Sequence, residues 1–395
     1  MKNTINRREV LSLGCAAFVG VGSAFRQSSD TEPFVKGVAG KQRARITELG
    51  NEFRSKFKLP GVSLAMSYRG KLKLLACFGQ ADKEKKLAVK PMHQFRIASV
   101  SKPITSVAVL RLLEQKRLSL DDRVLAKGGV LAKFVPNGLA DAQANRINQI
   151  SIRHLLEHSC GGWTNKNGEA PMFARPALGM AHAELIAWTL KNVSLRTDPG
   201  TNYAYSNFGY CLLGRVIEAV TSQPYEKAVK SLVLDPVGAR STDVGGHRRS
   251  ERRKNEVVYY GKSDPYGANM DVRRMDAHGG WISTATDLVR FAQRVDGYPK
   301  PTDILKKPTL KIMTTPSRGS YAMGWKTNAS RNWWHTGSFN GGTSILARIH
   351  DGHCWAVLVN TRPGNRAYFA ALDQFPWNVK QSVKEWGRHD LFGIA

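Results

Sequence analysis

The chain has few acidic residues. Of its 395 residues, 31 are Asp or Glu and 59 are Lys or Arg, which gives a formal net charge of +28. Such an excess favours anionic surroundings, whether nucleic acid, anionic lipid or acidic polymer, and it says nothing about the fold. The body of the chain also lacks any uncharged apolar run of about 18 residues, which excludes a protein that spans a membrane several times.

Cysteine is scarce as well. The chain has five cysteines and no C-x-x-C pair, so the common zinc-ribbon and dithiol redox motifs are excluded. Most of them are interpreted as small buried thiols, although export would permit disulfides and leaves their pairing open. The remaining composition is ordinary for a globular protein, with 42% apolar and 23% charged residues, which excludes a mainly disordered or fibrous chain.

The first 24 residues have the pattern of an export signal. Basic residues precede an apolar stretch at 10–21, which small residues follow, as in a secretory signal peptide. The pair Arg7-Arg8 resembles a twin-arginine signal, although the usual Ser/Thr and Phe are missing. We therefore predict removal of residues 1–24 and a protein exported to the periplasm or cell envelope.

The order of the predicted elements indicates a mixed α and β fold. Residues 25–40 are small and polar and predict a linker before a single domain at 41–395, which opens with an amphipathic helix over 41–58. Two pairs of strands are predicted, one near each end of the chain: 62–68, 72–78, 345–349 and 355–359. Strands at both ends imply one antiparallel sheet flanked by helices, with a mainly helical lobe inserted at about 116–300.

The strongest chemical signal is the spacing of Ser99 and Lys102. If a helix starts at Ser99, both side chains lie on one face and can touch. A serine hydroxyl is a poor nucleophile without a base, and a lysine can be that base when burial or neighbouring charge lowers its pKa. A helix N-terminus also offers N–H groups to an oxyanion. A second S-x-x-K at Ser55–Lys58 is discounted, because it lies at the exposed C-terminal end of a helix.

Two later segments accompany this pair. Tyr205 and Asn207 stand two apart before an apolar helix. The second segment leads into the last hairpin: His335-Thr336-Gly337-Ser338. Considered alone, Tyr205 is interpreted as a packed aromatic, Asn207 as a helix cap and His335 as a hydrogen-bonded histidine at a strand end. A glycine on a strand, however, lets a substrate lie close to the backbone.

Together and in this order, these segments resemble the serine β-lactamase and penicillin-binding-protein family. The S-x-x-K motif is Ser99–Lys102, Y-x-N is Tyr205–Asn207, and His335–Gly337 stands for K/H-T-G. The class C type branch, which includes esterases and D-aminopeptidases, is the close match and covers roughly 45–390. Three further segments fit that branch: His154–Gly161, Gly279–Asp287 and Tyr321–Trp325. The resemblance implies a β-lactamase/transpeptidase-like fold.

The resemblance also implies roles for individual residues. Ser99 would form an acyl-enzyme, with Lys102 and Tyr205 sharing the proton transfer, and which of the two is the base stays open. Asn207 would orient the substrate and Lys102, and the N–H groups of Ser99 and Ser338 would form the oxyanion hole. The other implied substrate-binding residues are His335, Thr336 and Gly337. No metal or organic cofactor is implied.

One departure from the family bears on the substrate. His335 stands where most β-lactamases have a lysine, so a fixed positive charge facing a β-lactam carboxylate is missing near neutral pH. This favours an esterase or peptidase, and no E-x-x-L-N segment supports deacylation of the class A kind. If neutral His335 is needed, activity should fall on acidification through roughly pH 6–7. The substrate, a small molecule or a peptidoglycan-derived one, is not fixed: ester, amide and β-lactam all fit.

Three other hypotheses stay open. A non-catalytic or peptidoglycan-binding, penicillin-recognising protein could share the fold. His154 and His158 fit H-x-x-E-H, an inverted zinc-protease motif. The basic run at 247–254 could bind nucleic acid, but it lacks aromatic residues and a recognisable binding module. A solvated loop is the default interpretation of this run. Nucleic acid is therefore not expected, and an anionic cell-wall or membrane surface is the better electrostatic partner for an exported protein. The oligomeric state stays open.

Overall fold

The computed structural model describes residues 32–165, 170–267 and 271–393. The predicted signal peptide at 1–24 and residues 25–31 of the predicted linker lie outside the described residues. Among the helices that are described, none combines the length and the apolar character needed to cross a membrane.

Strands cluster near the two ends of the described part of the chain, and most of the helices lie between them. The strands are β1 (Phe34–Lys36), β2 (Gly61–Tyr68), β3 (Lys71–Asp82), β4 (Leu87–Ala88), β5 (Phe95–Arg96), β6 (Asp243–Val244), β7 (Trp281–Ser283), β8 (Lys326–Thr327), β9 (Trp333–Phe339), β10 (Gly342–Arg348) and β11 (His353–Val359). The helices are α1 (Gly40–Lys56), α2 (Ser101–Glu114), α3 (Asp141–Asn148), α4 (Ile152–Leu156), α5 (His182–Asn192), α6 (Asn207–Thr221), α7 (Tyr225–Val229), α8 (Asp235–Val237), α9 (Ala285–Gln293), α10 (Lys307–Thr314) and α11 (Arg366–Gln381).

The main sheet joins the two ends of the chain, as the sequence predicted. Its strand order is β1-β3-β2-β11-β10-β9-β8, with β4 paired to β3. The central contact is antiparallel, between β2 and β11, with Val62 opposite Val359 and Tyr68 opposite His353. Because the two central strands come from opposite ends of the sequence, the sheet forms only when both ends are present.

Apolar residues cover both faces of this sheet. One face of β2, including Leu64 and Met66, packs in a core with α1 and α11. The other face, including Ala65, belongs to a larger core that contains α2 and α9. Burial on both faces explains why β2 has small or apolar residues at nearly every position instead of exposing a polar face.

Two predicted boundaries differ from the structure. The predicted linker at 25–40 contains β1, because Phe34–Lys36 extends along β3 and pairs with Leu75–Cys77. The predicted helical lobe at about 116–300 is helical for the most part, but it also supplies β6 and β7, which form a small antiparallel sheet with β5. These strands are only two or three residues long, too short for a periodic sequence pattern.

The small sheet matters because β5 leads directly into the residues around Ser99. α2 does not begin at Ser99: a single 3₁₀ turn at Ala98–Val100 comes first, and α2 begins at Ser101. α2 is buried on nearly every side, so this turn is held at the end of a fixed element.

Candidate active site

Ser99 lies in a strained turn that two strands hold in place. Ala98, just before it, has a φ of +47°, a left-handed conformation that costs a non-glycine residue about 1–2 kcal/mol. The Ile97 N–H donates to the Trp281 carbonyl at 3.0 Å, and Ser344 Oγ donates to the Ile97 carbonyl at 2.6 Å. Hydrogen bonds from β7 and β10 thus fix the backbone on the N-terminal side of the nucleophile.

Lys102 Nζ lies within hydrogen-bond distance of three oxygen atoms. They are Ser99 Oγ at 3.0 Å, Asn207 Oδ1 at 2.8 Å and the backbone carbonyl of His278 at 2.9 Å. The side chain is fully buried, and none of the three partners carries a negative charge. Burial therefore lowers the pKa of the Lys102 ammonium well below its usual range.

These contacts orient the amine toward the serine. A neutral amine has two N–H donors and one lone pair, while a backbone carbonyl and an amide oxygen can only accept. His278 and Asn207 therefore take the two N–H groups, and the lone pair is left for the Ser99 hydroxyl. In this state Lys102 can accept the proton of Ser99.

Tyr205 completes the group around the nucleophile. Its hydroxyl interacts with the Ser99 side chain, and its ring centroid lies 4.8 Å from Lys102 Nζ. Burial raises the pKa of the Tyr205 hydroxyl above its ordinary value, so the phenol keeps its proton at neutral pH. The structure thus brings Ser99, Lys102, Tyr205 and Asn207 together, as the sequence predicted.

β9 passes directly beside the nucleophile turn because residue 337 is a glycine. A Cβ at Gly337 would lie 2.1 Å from the Ile97 carbonyl oxygen and 2.3 Å from Ser344 Oγ. Both distances are too short for any side chain at this position. The flanking Thr336 and Ser338 are half-buried. The predicted substrate-binding strand therefore lies against the turn that carries Ser99.

His335 is also at the site, but it faces protein groups. Its Nδ1 lies 2.8 Å from the Thr336 carbonyl and must therefore carry a proton, while Nε2 lies 3.1 Å from the Tyr321 hydroxyl, which donates to it. Burial is the main cause that lowers the pKa of His335 to about 3. The expectation that this group titrates at pH 6–7 is therefore wrong, because its proton uptake moves far into the acid range.

Sequence reasoning missed the role of His158 in placing Tyr205. The backbone carbonyl of His158 accepts the Ala204 N–H at 2.7 Å, and the ring Nδ1 of His158 accepts the Ser206 N–H at 3.1 Å. Its ring centroid lies 4.3 Å from that of Tyr205. A φ of +56° at His158 allows this arrangement. Two signals in the sequence included His158: the family segment His154–Gly161, which assigned it no role, and the H-x-x-E-H pattern, which indicated a different chemistry.

The geometry required by that zinc motif is not formed. α4 ends at Leu156, so His154 and His158 do not share a helical face. The Nδ1 of His154 accepts the Ser151 N–H at the start of α4, and that of His158 accepts the Ser206 N–H. Within the described ranges no group of three His, Cys, Asp or Glu side chains is arranged to hold a metal ion.

An open cleft of about 720 Å³ lies beside these residues. Phe173 and Arg175 line one side, and Ser263 and Asn340 line the other. The Phe173 ring centroid lies 6.5 Å from that of His278, whose carbonyl contacts Lys102. The cleft is thus connected to the catalytic group through Phe173 and His278, whereas Ser99, Lys102 and Tyr205 are not among its lining residues.

Comparison with known proteins identifies the family. Residues 46–374 match the family model described as Beta-lactamase. Protein flp of Staphylococcus aureus strain MRSA252 is 26% identical over 320 residues, which cover 76% of this chain and 60% of that protein. The chain thus spans about 60% of the length of this curated relative.

Solved structures show the same fold. The D-amino acid amidase from Ochrobactrum anthropi SV3 has a TM-score of 0.68 at 22% identity, covering 87% of this chain and 99% of that one. EstCE1, a hydrolase with promiscuous acyltransferase activity, has a TM-score of 0.67 at 20% identity, with 87% and 98% covered. The predicted fold class is confirmed. Since the family match extends over most of the sequence, the chain belongs to the beta-lactamase family.

Proposed function

We propose that this chain hydrolyses a small amide or ester by acyl transfer through Ser99, and that it prefers substrates without a carboxylate beside the reacting carbonyl. The observation that carries the proposal is the position of Lys102 Nζ, 3.0 Å from Ser99 Oγ and held by two groups that can only accept. A buried lysine whose lone pair faces a serine hydroxyl can act as the base for that serine.

In the first half of the reaction Ser99 Oγ attacks the substrate carbonyl and its proton passes to the Lys102 lone pair. The carbonyl oxygen becomes an oxyanion, which the N–H groups of Ser99 and Ser338 would bind. Loss of one such donor typically costs about 2.7–4 kcal/mol of transition-state stabilisation. As the C–N or C–O bond breaks, Tyr205 gives its proton to the leaving group. Lys102 then passes the proton that it took from Ser99 to the Tyr205 oxygen.

The second half repeats these steps with water as the nucleophile. Water attacks the Ser99 ester, its proton passes through Tyr205 and Lys102, and Ser99 leaves as the alcohol. The directions of the pKa shifts support Lys102 as the base in both halves, because burial lowers the pKa of Lys102 and raises the pKa of Tyr205. Tyr205 is then the group that relays the proton.

The substrate preference rests on His335. A family member that binds a β-lactam carboxylate benefits from a fixed cation here, whereas His335 is neutral and hydrogen-bonded to Tyr321 and Thr336. Two exposed aromatic side chains flank the site, Tyr203 at 46% and Phe173 at 40% exposure, and offer apolar surface to the substrate. The D-amino acid amidase and EstCE1, a hydrolase with acyltransferase activity, have this fold, and both activities agree with acyl transfer through Ser99.

A panel of assays tests this proposal. Short-chain p-nitrophenyl esters, D-amino acid amides and nitrocefin are compared on the wild type and on Ser99→Ala. We expect turnover of an ester or an amide at a higher kcat/KM than nitrocefin, and loss of it in Ser99→Ala. Faster turnover of nitrocefin would overturn the substrate preference. Binding of penicillin without any turnover would instead favour the non-catalytic alternative.

Export is proposed as well, from the signal pattern at 1–24. N-terminal sequencing of the protein from the native host's envelope fraction tests it. A mature N-terminus near residue 25 would support export. An intact Met1 in the cytoplasmic fraction would contradict it.

A further inference from the structure

A strongly basic surface lies next to Ser263, which lines the cleft. It is formed by two segments, residues 83–92 and 247–262, and is called the basic face below. The exposed cations of the two segments are Lys83, Lys85, Lys86, Lys90, Arg248, Arg249, Arg253, Lys254 and Lys262. Glu84 is the one exposed acid among the residues of these segments.

Three contacts join the two segments into one surface. An ion pair of 3.6 Å connects Arg249 with Glu84. Lys83 Nζ lies 5.3 Å from the Tyr260 ring centroid. Just past the end of the first segment, the Gln94 N–H donates to the Asn255 carbonyl at 2.9 Å. The two segments therefore lie side by side at the surface of the molecule.

The basic face also exposes two aliphatic side chains. Met92 is 50% exposed, the highest value among the large hydrophobic residues of the described ranges, and Leu87 is 44% exposed. Both lie in the segment that carries four of the lysines. Exposed aliphatic residues within a basic cluster are the arrangement by which peripheral proteins bind membranes, since the cations meet lipid phosphates while the apolar groups enter the interface.

We propose that the basic face binds the surface of an anionic lipid bilayer, with Leu87 and Met92 entering the headgroup region. A soluble anionic polymer would use the cations but would gain nothing from two aliphatic side chains. Single-stranded nucleic acid would use aromatic side chains on which bases stack, and leucine and methionine do not provide such a surface.

Docking in this way would place the cleft near the membrane. Lys262 of the basic face is followed directly by Ser263, which lines the cleft. A bilayer against the basic face would thus bring the site close to substrates held at the membrane surface. The inference does not depend on the identity of that substrate or on catalysis at Ser99.

The first experiment reports directly on the proposed contact. Leu87→Cys is labelled with the environment-sensitive fluorophore NBD in a full-length Cys15→Ser chain, in which the other four cysteines are buried. The matched control carries the label at Ile312, on α10. With phosphatidylcholine vesicles that contain phosphatidylglycerol we expect a blue shift at 87 and none at 312. Equal shifts at both positions, or none at 87, would overturn the proposal.

The second experiment separates this face from the general positive charge. Lys85→Gln/Lys86→Gln is compared with Lys384→Gln/Arg388→Gln, which removes the same charge near the start of β3. The segment that contains Arg388 lies near the start of β3, because Lys73 Nζ donates to the Gly387 and His389 carbonyls. The two pairs lie at opposite ends of β3, which is about 35 Å long.

We expect the first pair to weaken vesicle binding about 30-fold, because a cation near an anionic surface contributes about 1 kcal/mol. The control pair should change binding less than about threefold, since charges beyond a Debye length are screened. Equal losses in both pairs would show diffuse attraction and contradict a specific face. A Leu87→Ser/Met92→Ser variant that still binds vesicles like the wild type would contradict bilayer insertion. It would favour a soluble anionic polymer as the partner of the basic face.

Discussion

His158 accepts hydrogen bonds from the two backbone N–H groups that flank Tyr205. Its carbonyl takes the Ala204 N–H and its Nδ1 takes the Ser206 N–H, at 2.7 and 3.1 Å. Since Nδ1 accepts, the neutral ring carries its proton on Nε2, which has no hydrogen-bond partner among the described residues. The imidazole thus fixes the backbone on both sides of the phenol that touches Ser99.

His158 is therefore expected to act as a positioning residue. His158→Asn keeps a side-chain acceptor and tolerates the left-handed φ, whereas His158→Leu loses both the acceptor and the tolerance. We expect kcat to fall about 10- to 100-fold in the leucine variant with little change in KM, and to recover largely in the asparagine variant. Steady-state kinetics with thermal unfolding as a control check this, and equal kcat losses in two stably folded variants would count against it.

Lys102 should not tolerate a permanently charged substitute. Lys102→Arg keeps the positive charge but has no lone pair to accept the Ser99 proton. We expect kcat/KM to fall about 10²–10⁴-fold, as for loss of a general base.

Tyr205→Phe should lose less acylation rate with an activated p-nitrophenyl ester than with an amide, because only the amide needs a proton on its leaving group. The opposite order would reverse the two roles.

The pH dependence of activity follows from the same groups. Because burial lowers the pKa of Lys102, activity should rise with pH as its ammonium loses a proton, and should then remain level. His335, whose pKa is lowered to about 3, stays neutral above pH 4 and should add no step at pH 6–7. A profile of kcat/KM against pH checks this. A step near pH 6.5 that disappears in His335→Asn would contradict it.

Stability should fall in acid for a related reason. The folded-state pKa of His335 lies below its unfolded value, so the unfolded chain binds the proton first. The stabilisation is present above about pH 6.5 and is lost as the pH falls toward 3. Between pH 7 and 5 we expect a loss of about 2 kcal/mol from this histidine. Denaturation of the wild type and of His335→Asn at both values measures it, and equal losses would refute it.

Gly337→Ala should displace β9 from the nucleophile turn. The added Cβ would meet the Ile97 carbonyl oxygen at 2.1 Å, so the strand or the turn must move. We expect kcat/KM to fall at least about 100-fold, because small misplacements of reacting groups have effects of this size. Gly364→Ala, whose added Cβ would meet only the flexible end of the Lys262 side chain at 3.4 Å, is the control. A Gly337→Ala variant with wild-type activity would show that the strand need not touch the turn.

The sequence could predict the parts of the site that depend on side-chain identity. The spacing of Ser99 and Lys102 and the order of the three motifs pointed to one family, which the family match confirms. The residues' roles in catalysis stay predictions. The backbone carbonyl of His278, which orients Lys102, could not be found in this way, because every residue has a carbonyl and only the fold decides where it points.

Backbone conformation accounts for the other differences. The left-handed φ of His158 ends α4 before that residue, and the H-x-x-E-H pattern assumed an unbroken helix. Ala98 likewise delays the start of α2. β1 and the small sheet are too short for a periodic pattern and form through pairing with strands that are distant in sequence.

The central claim is that Ser99 is the nucleophile, and covalent labelling tests it most directly. The protein is treated with a fluorophosphonate probe and examined by intact-mass and peptide mass spectrometry, beside Ser99→Ala and Ser55→Ala. We expect one adduct per chain, located at Ser99, lost in Ser99→Ala and unchanged in Ser55→Ala, since Ser55 lies exposed in the last turn of α1. An adduct that persists in Ser99→Ala would contradict the claim.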